Sequence, residues 1–501
     1  MTRHDTGPTL RRETGTVYDR DPMSGDAPSP ATSPKAPTVG GGSCATAWTA
    51  VEVVLYLGAA GLVVTAFAAP PGLWAFPVRA LPAWVFPAGL TAVLAFAAAW
   101  IRFGPPAARA LAADPANPAD GAGFRHRVVV GVALLGAFAL LWALRCQKPY
   151  GDAGAIAGFI DRGVVFHKRE PLSPALFLGV HEALGRALGW APAQTIRVVN
   201  TVVGAVGLVV IAGLARRLLP ASRGARLAGT VAIAGGGALQ LLAGYVENYT
   251  VPAVLMLASL AAALDALSER RSPLWAYGLW TLSCMFHLSG LLFGPAMLWL
   301  AWHTTLAHDP RRLVSRPSLF AALVTVVPAA ALFATMHAVG FLRAEEKGFG
   351  GGDGLMFVPL FERSGMSQYL FFRPAHLLAV ANQQLLVAPL GLLTTLVGAA
   401  LLFAQRRARA ALQGPERTGL VHLVLVALAF CTLTIIWNPD LGALRDWDLF
   451  GPLGFYLNAA AVAVLATALR SDPRRLTAAL CVLAAANLSR GLPFVLHNAG
   501  L

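Results

Sequence analysis

The chain has 501 residues, 56% of them hydrophobic and 13% charged, with a mean hydropathy of +0.61. A soluble domain carries roughly 25% charged residues, so most of this chain avoids water, which excludes a soluble enzyme or binding module. The net charge of +14 does not mark a nucleic-acid binder, because Lys and Arg are spread among the loops between apolar segments, where they orient a membrane protein.

Residues 1–43 are rich in Pro, Gly, Ser, Thr and charge, and cannot bury enough apolar surface to fold. They are read as a disordered cytoplasmic tail. The first apolar run starts too late for a signal peptide, so it acts as an uncleaved anchor. From 44 to 501, apolar runs recur at 47–69, 81–101, 128–144, 196–214, 227–244, 250–267, 273–287, 289–306, 318–339, 376–403, 419–437, 449–468 and 476–495. A span needs about 20 apolar residues. The pattern predicts an all-α, polytopic transmembrane helical bundle of about thirteen spans (eleven to fourteen), with outer-face loops containing interfacial helices. The stretch 273–306 is read as two short crossings that turn near His287, because Arg270 and Arg271 before it and Arg311, Arg312 and Arg316 after it belong on one side.

Six basic clusters lie between the runs, among them Arg216, Arg217, Arg223 and Arg226, then Arg270 and Arg271, then Arg470, Arg474 and Arg475. With a cytoplasmic N-terminus and thirteen spans, all six fall inside. The acids then gather on the outer face, which also owns two long loops, 145–195 and 340–375. Long loops with their own charged and aromatic residues commonly carry function. The five cysteines show no CxxC or other metal-ligand spacing, so neither zinc nor disulfides are expected.

In the first outer loop Asp152 follows Tyr150 and Gly151 just past a span. A carboxylate at that depth is partly desolvated and could accept a proton from an attacking hydroxyl. The competing reading is that Asp152 caps the helix after it. Residues 174–189 place Leu176, Phe177, Val180, Leu184 and Leu188 on one face, as an interfacial amphipathic helix would. A second cluster, Asp440, Arg445, Asp446, Trp447 and Asp448, stands at the outer end of a span. Arg445 could fork onto a phosphate, Trp447 could stack on a sugar or anchor in the interface, and Asp446 and Asp448 could bind hydroxyls or a divalent metal. An interfacial belt of internal ion pairs is the plainer alternative. A third, Tyr245, Glu247, Asn248 and Tyr249, combines carboxylate and aromatic rings in a way that suits carbohydrate, although any short turn needs polar residues. His287 is a candidate ligand contact or a satisfied helix-end group. The loop with Glu345, Glu346 and Lys347 and the glycine run 348–352 reads as a gate or a plain connector, with Arg363 and Arg373 as candidate phosphate partners.

An acid just after a span, then a short helix, a Gly, basic or His residues and a pair of prolines resembles the first outer loop of GT-C glycosyltransferases. The matching residues are Asp152, Gly163, His167, Lys168, Arg169, Pro171 and Pro174. These are integral membrane enzymes dependent on polyprenyl-phosphate sugars, a superfamily that includes mannosyltransferase-like and aminoarabinose-transferase-like members. In that family the loop acid is catalytic, a role that maps onto Asp152. Where many relatives pair two acids, this chain has Asp152 followed by Ala153. The resemblance implies a lipid-linked sugar donor held by Lys168, Arg169, Arg373 and Arg445, and a glycan, lipid or protein acceptor. It further implies an active site on the outer face of a bacterial plasma membrane. No cofactor is fixed, and a divalent metal is left open. A transporter or flippase would place charges within spans, and Glu52 is the clearest such residue. A polymerase or ligase of lipid-linked polysaccharide would share the donor.

Overall fold

A computed structural model describes residues 52–62, 122–148, 151–167, 169–220, 222–306, 316–338, 357–361, 369–404, 414–439 and 443–500. Among the described residues the chain is helical, with one isolated antiparallel bridge between Phe357 and Trp437 and no strand. In chain order the helices are α1 (Glu52–Leu62), α2 (Ala122–Ala143), α3 (Ala153–Asp161), α4 (Ser173–Val180) and α5 (Pro192–Leu218). Next come α6 (Arg223–Ala234), α7 (Leu239–Leu242), α8 (Thr250–Leu267), α9 (Leu274–Phe286), α10 (Gly294–Ala301) and α11 (Arg316–Ala338). The last six are α12 (Pro374–Val387), α13 (Gly391–Ala404), α14 (Gly414–Ile436), α15 (Trp447–Phe450), α16 (Leu453–Ala468) and α17 (Pro473–Ala499).

Local chemistry sets several boundaries. Proline opens α5, α12 and α17, where its missing N–H costs nothing. Ser222 caps α6 by accepting from the Ala225 amide, and Asp472 caps α17 by accepting from the amides of Arg474 and Arg475. Gly500 ends α17 in the left-handed conformation.

Six helices among those described are long and apolar enough to cross a membrane: α5, α8, the Phe320–Ala338 part of α11, α14, Trp447–Ala468 and α17. The pair α12 and α13 would make a seventh, but it bends by 93°. The helix Trp447–Ala468 is the axis of the bundle, with 94% of its apolar window buried. By contrast, α11 buries only 11% and turns Phe320, Val326, Val327 and Phe333 outward. In water such a face would be costly; against lipid chains it is not. At one end of the bundle Glu52 of α1 is gripped by Arg475 of α17, with Nε 3.1 Å from Oε1.

Two expected spans are altered. The run 227–244 is not one helix: α6 stops at Ala234, and α7 is a single turn. The run 376–403 is broken at 388–390. The two breaks meet, with the Gly237 amide donating to the Leu386 carbonyl at 2.9 Å. A Cβ at Gly236 would strike the Val387 carbonyl oxygen, and one at Gly491 would strike the Gly235 carbonyl. Backbone freed by each break is thus covered by protein rather than left to lipid. The stretch 273–306 does turn at His287, which is extended (φ −158°, ψ 132°) and leads into a 3-10 helix, Leu288–Phe293, and then α10. The tail 1–43, the run 81–101 and most of the loop 340–375 lie outside the described residues.

Candidate functional site

Four segments far apart in sequence converge at the end of the bundle opposite the Glu52–Arg475 pair. The turn between α7 and α8 is fixed from α5: Asn200 donates to the carbonyls of Tyr245 (2.6 Å) and Glu247 (2.8 Å). Tyr245 then packs edge-on against Trp447 of α15, with ring centroids 5.2 Å apart. This brings Glu247 beside Asp448. Gly151 fits between them in the left-handed conformation (φ 65°). A Cβ there would lie 3.1 Å from the Arg445 carbonyl oxygen, 3.3 Å from Glu247 Oε1 and 3.7 Å from Asp448 Oδ2. The backbone amide of the next residue, Asp152, donates to the Glu247 carboxylate.

The rest of the first outer loop docks on the break at His287. The Leu172 amide donates to the Met285 carbonyl (2.9 Å), the Leu288 amide to the Arg169 carbonyl (2.9 Å), and Ser173 Oγ to the Phe286 carbonyl (3.0 Å). These bonds deliver Glu170 to a prepared socket. Asn248 Nδ2 donates to its Oε2 at 2.9 Å, His167 Nδ1 lies 2.9 Å from the same oxygen, and His287 Nε2 lies 3.6 Å from Oε1. His287 Nδ1 accepts from the Ser289 amide at 3.0 Å, which assigns the proton of the neutral ring to Nε2, facing Glu170.

The acids differ in character. Asp152 occupies the N-cap position of α3, yet its side chain makes no capping hydrogen bond. Capping therefore does not account for it. The residue is solvent-exposed. Partial burial of its carboxyl and then the Glu170 carboxylate raise its pKa, against the pull of Arg169 and His167. Glu247 is 3% exposed, and its Oε1 has no hydrogen-bond partner. Burial first, and then Asp448, Asp152 and Glu170, lift it well above the carboxylate range, favouring its protonated form. Glu170 behaves oppositely. Burial works against its charge, but the His167 hydrogen bond and the favourable electrostatics of the His287 N–H, His167 and Arg169 outweigh that and lower its pKa. The site thus holds a fixed anion, a deep carboxyl that favours its proton, and an accessible carboxyl suited to exchange one.

Of the expected site residues, Asp152, Glu247, Asn248, His287 and Asp448 meet here, with Arg169 beside Asp152 and Glu170. Tyr245 acts as a wedge against Trp447. Asp446 is half-buried at the N-cap of α15 and acts electrostatically on Asp448. Arg445 contributes its carbonyl next to Gly151, and its side chain is exposed. Arg373 is exposed at the start of α12, and no contact joins it to the acids. Tyr150, Lys168, Arg363 and Asp440 lie outside the described residues, as does the glycine run 348–352. Among the described residues no group of three or more His, Cys, Asp or Glu side chains is arranged to hold a metal ion. The sequence reading missed Glu170 and Asn200; the local trace was the spacing of His167 and Glu170, three apart. The amphipathic segment is divided: Phe177 is buried, whereas Leu184, within a π turn at His181–Gly185, and Leu188, beyond it, face outward.

No family model and no curated protein matches the chain. In structure it is similar to ArnT from Cupriavidus metallidurans bound to undecaprenyl phosphate (14% identity, TM-score 0.45, 76% of this chain and 78% of that one). It is also similar to the archaeal oligosaccharyltransferase AglB from Archaeoglobus fulgidus in complex with an inhibitory peptide and a dolichol-phosphate (15% identity, TM-score 0.44, 75% of this chain and 56% of that one).

Proposed function

We propose that this protein is a membrane glycosyltransferase that moves a sugar from a polyprenyl-phosphate-linked donor to a hydroxyl or amide acceptor at the outer face. The observation that carries the reading is the convergence of Asp152, Glu170, Glu247 and Asp448 at one end of an apolar bundle. Several carboxyls held together at the end of an apolar bundle are costly to assemble, which marks a functional site.

The chemistry follows from their unequal environments. Asp152, accessible and of raised pKa, takes the proton of an acceptor hydroxyl as that oxygen bonds to the anomeric carbon of the sugar. The bond from that carbon to the phosphate oxygen breaks, and its electron pair leaves on the lipid phosphate. Glu247, buried behind Gly151, accepts from the Asp152 amide and so fixes the backbone that carries the base. Glu170 keeps His287 and Asn248 in register. Arg169 and Arg445 are the nearest candidates for the phosphate, with Arg373 further along the same end. Leu184 and Leu188, exposed just beyond α4, suit contact with the membrane through which a lipid donor arrives.

The transport reading rested on Glu52, which the structure places in an ion pair with Arg475. The discriminating experiment uses proteoliposomes loaded with a polyprenyl-phosphate sugar and an acceptor. The enzyme reading expects free polyprenyl phosphate to appear with the glycosylated acceptor. Movement of intact donor between leaflets without cleavage would refute it.

A further inference from the structure

At the other end of the bundle a cavity of about 550 Å³ opens between the ends of α5, α8, α14 and α16. Its wall is apolar, formed by Leu264, Leu420, Leu423 and Ala466 among others, and its rim carries Arg217, Arg270 and Arg470. Two acids share the rim, and both are already engaged. Arg217 forks onto Asp265 at 2.8 and 2.7 Å, and Arg470 lies 3.2 Å from Glu416. Arg271 adds a fourth guanidinium, 3.7 Å from Asp265. With Glu269 in the same turn, four arginines against three carboxylates still leave the rim cationic.

Arg270 is held there by the way α8 ends. Glu269 adopts a left-handed conformation (φ 56°), its amide bonds back to the Ala266 carbonyl, and the Arg270 amide bonds to the Asp265 carbonyl at 2.9 Å. This double bond pattern reverses the chain over the helix terminus and places Arg270 on the rim. Three of the four helices finish here by their C-termini, whose dipoles repel anions. The arginines are therefore what makes this mouth attractive to a negative group.

We propose that this cavity is a binding site for an anionic phospholipid, with its phosphate at the arginine rim and an acyl chain along the apolar wall. An apolar wall below a cationic rim at the end of membrane spans matches an amphiphile standing in the leaflet. A free anion would gain nothing from the wall. The site is remote from the acid cluster, and the inference is independent of the transferase reading.

The test uses the full-length protein in nanodiscs of phosphatidylcholine with and without phosphatidylglycerol, with retained lipid measured by native mass spectrometry and stability by thermal unfolding. The wild type should retain phosphatidylglycerol preferentially and unfold at a higher temperature with it. Arg270→Gln, exposed and free to change without disturbing the core, should weaken that retention about fivefold, as expected for one arginine at an anionic surface. Ala466→Phe keeps every charge and fills the wall, so it should reduce retention of both lipids. Unchanged preference in Arg270→Gln, unchanged retention in a folded Ala466→Phe, or equal stabilisation by inorganic phosphate alone would each overturn the proposal.

Discussion

Substituting Gly151 by Ala probes the geometry of the site with a single methyl group. Gly151 sits at φ 65°, and a left-handed backbone costs a residue with a side chain about 1–2 kcal/mol. The new Cβ would also lie 3.1 Å from the Arg445 carbonyl oxygen and 3.3 Å from Glu247 Oε1. Relaxed carbon contacts sit at about 3.5–4.0 Å, so the three segments must part by a few tenths of an ångström. Asp152 is the next residue and moves with them. Misplacement on the ångström scale lowers a positioned reaction about 100-fold, so Gly151→Ala should lose roughly 10- to 100-fold in transfer rate while remaining folded. Gly163→Ala is the matched control. Gly163 has nearly the same backbone (φ 64°), yet nothing lies within 4 Å of its would-be Cβ. It should show the same modest loss of stability with near-normal transfer. The assay is sugar transfer in nanodiscs, with thermal unfolding of both variants. Full activity in Gly151→Ala, or equal loss in Gly163→Ala, would refute the packing argument.

Three further outcomes are expected. If Asp152 is the base, transfer falls as pH drops through its raised pKa; Glu170→Gln removes a charge that raises that pKa, so the acidic limb of the pH–rate profile should move to lower pH. Glu247 has a folded pKa above its unfolded one, so the stability it contributes is full below the unfolded value and is lost as pH rises from there through the folded value; Glu247→Gln should therefore raise the unfolding temperature at neutral pH while lowering transfer. Asn200→Leu strips the Glu247 carbonyl of its side-chain donor and leaves the Tyr245 carbonyl only the Glu247 amide; the orphaned Glu247 carbonyl should cost about 1–3 kcal/mol, read by thermal unfolding, with transfer falling as the turn loosens.

Individual crossings were legible, though not the count of thirteen, because a helix in lipid must satisfy its own backbone and so leaves a long apolar run; six such helices stand among the described residues. The run 250–267 matches α8 residue for residue. The breaks were less legible. Gly236 and Gly237 lie within an apolar run, and their meaning comes from Val387 and Leu386, far along the chain and packed against them. The paired acids of the site were visible singly, as Asp152, Glu247 and Asp448. Their union depends on contacts between segments that no local pattern encodes, such as Asn200 reaching across to 245–247. Glu170 was hidden in a charged string; what sets it apart is Asn248 and His287, supplied by other turns. Glu52, conspicuous as a charge in an apolar run, owes its place to Arg475 at the start of α17.

If Asp152 takes the proton in the proposed sugar transfer, removing its charge must slow the chemical step. The most direct measurement is single-turnover transfer from a polyprenyl-phosphate sugar by Asp152→Asn, compared with wild type at matched insertion and unfolding temperature. Asparagine keeps the size of the side chain and makes no demand on a cap that Asp152 does not form. The account predicts a loss of about 100- to 10,000-fold with donor still bound. Wild-type turnover in a correctly inserted Asp152→Asn protein would contradict it.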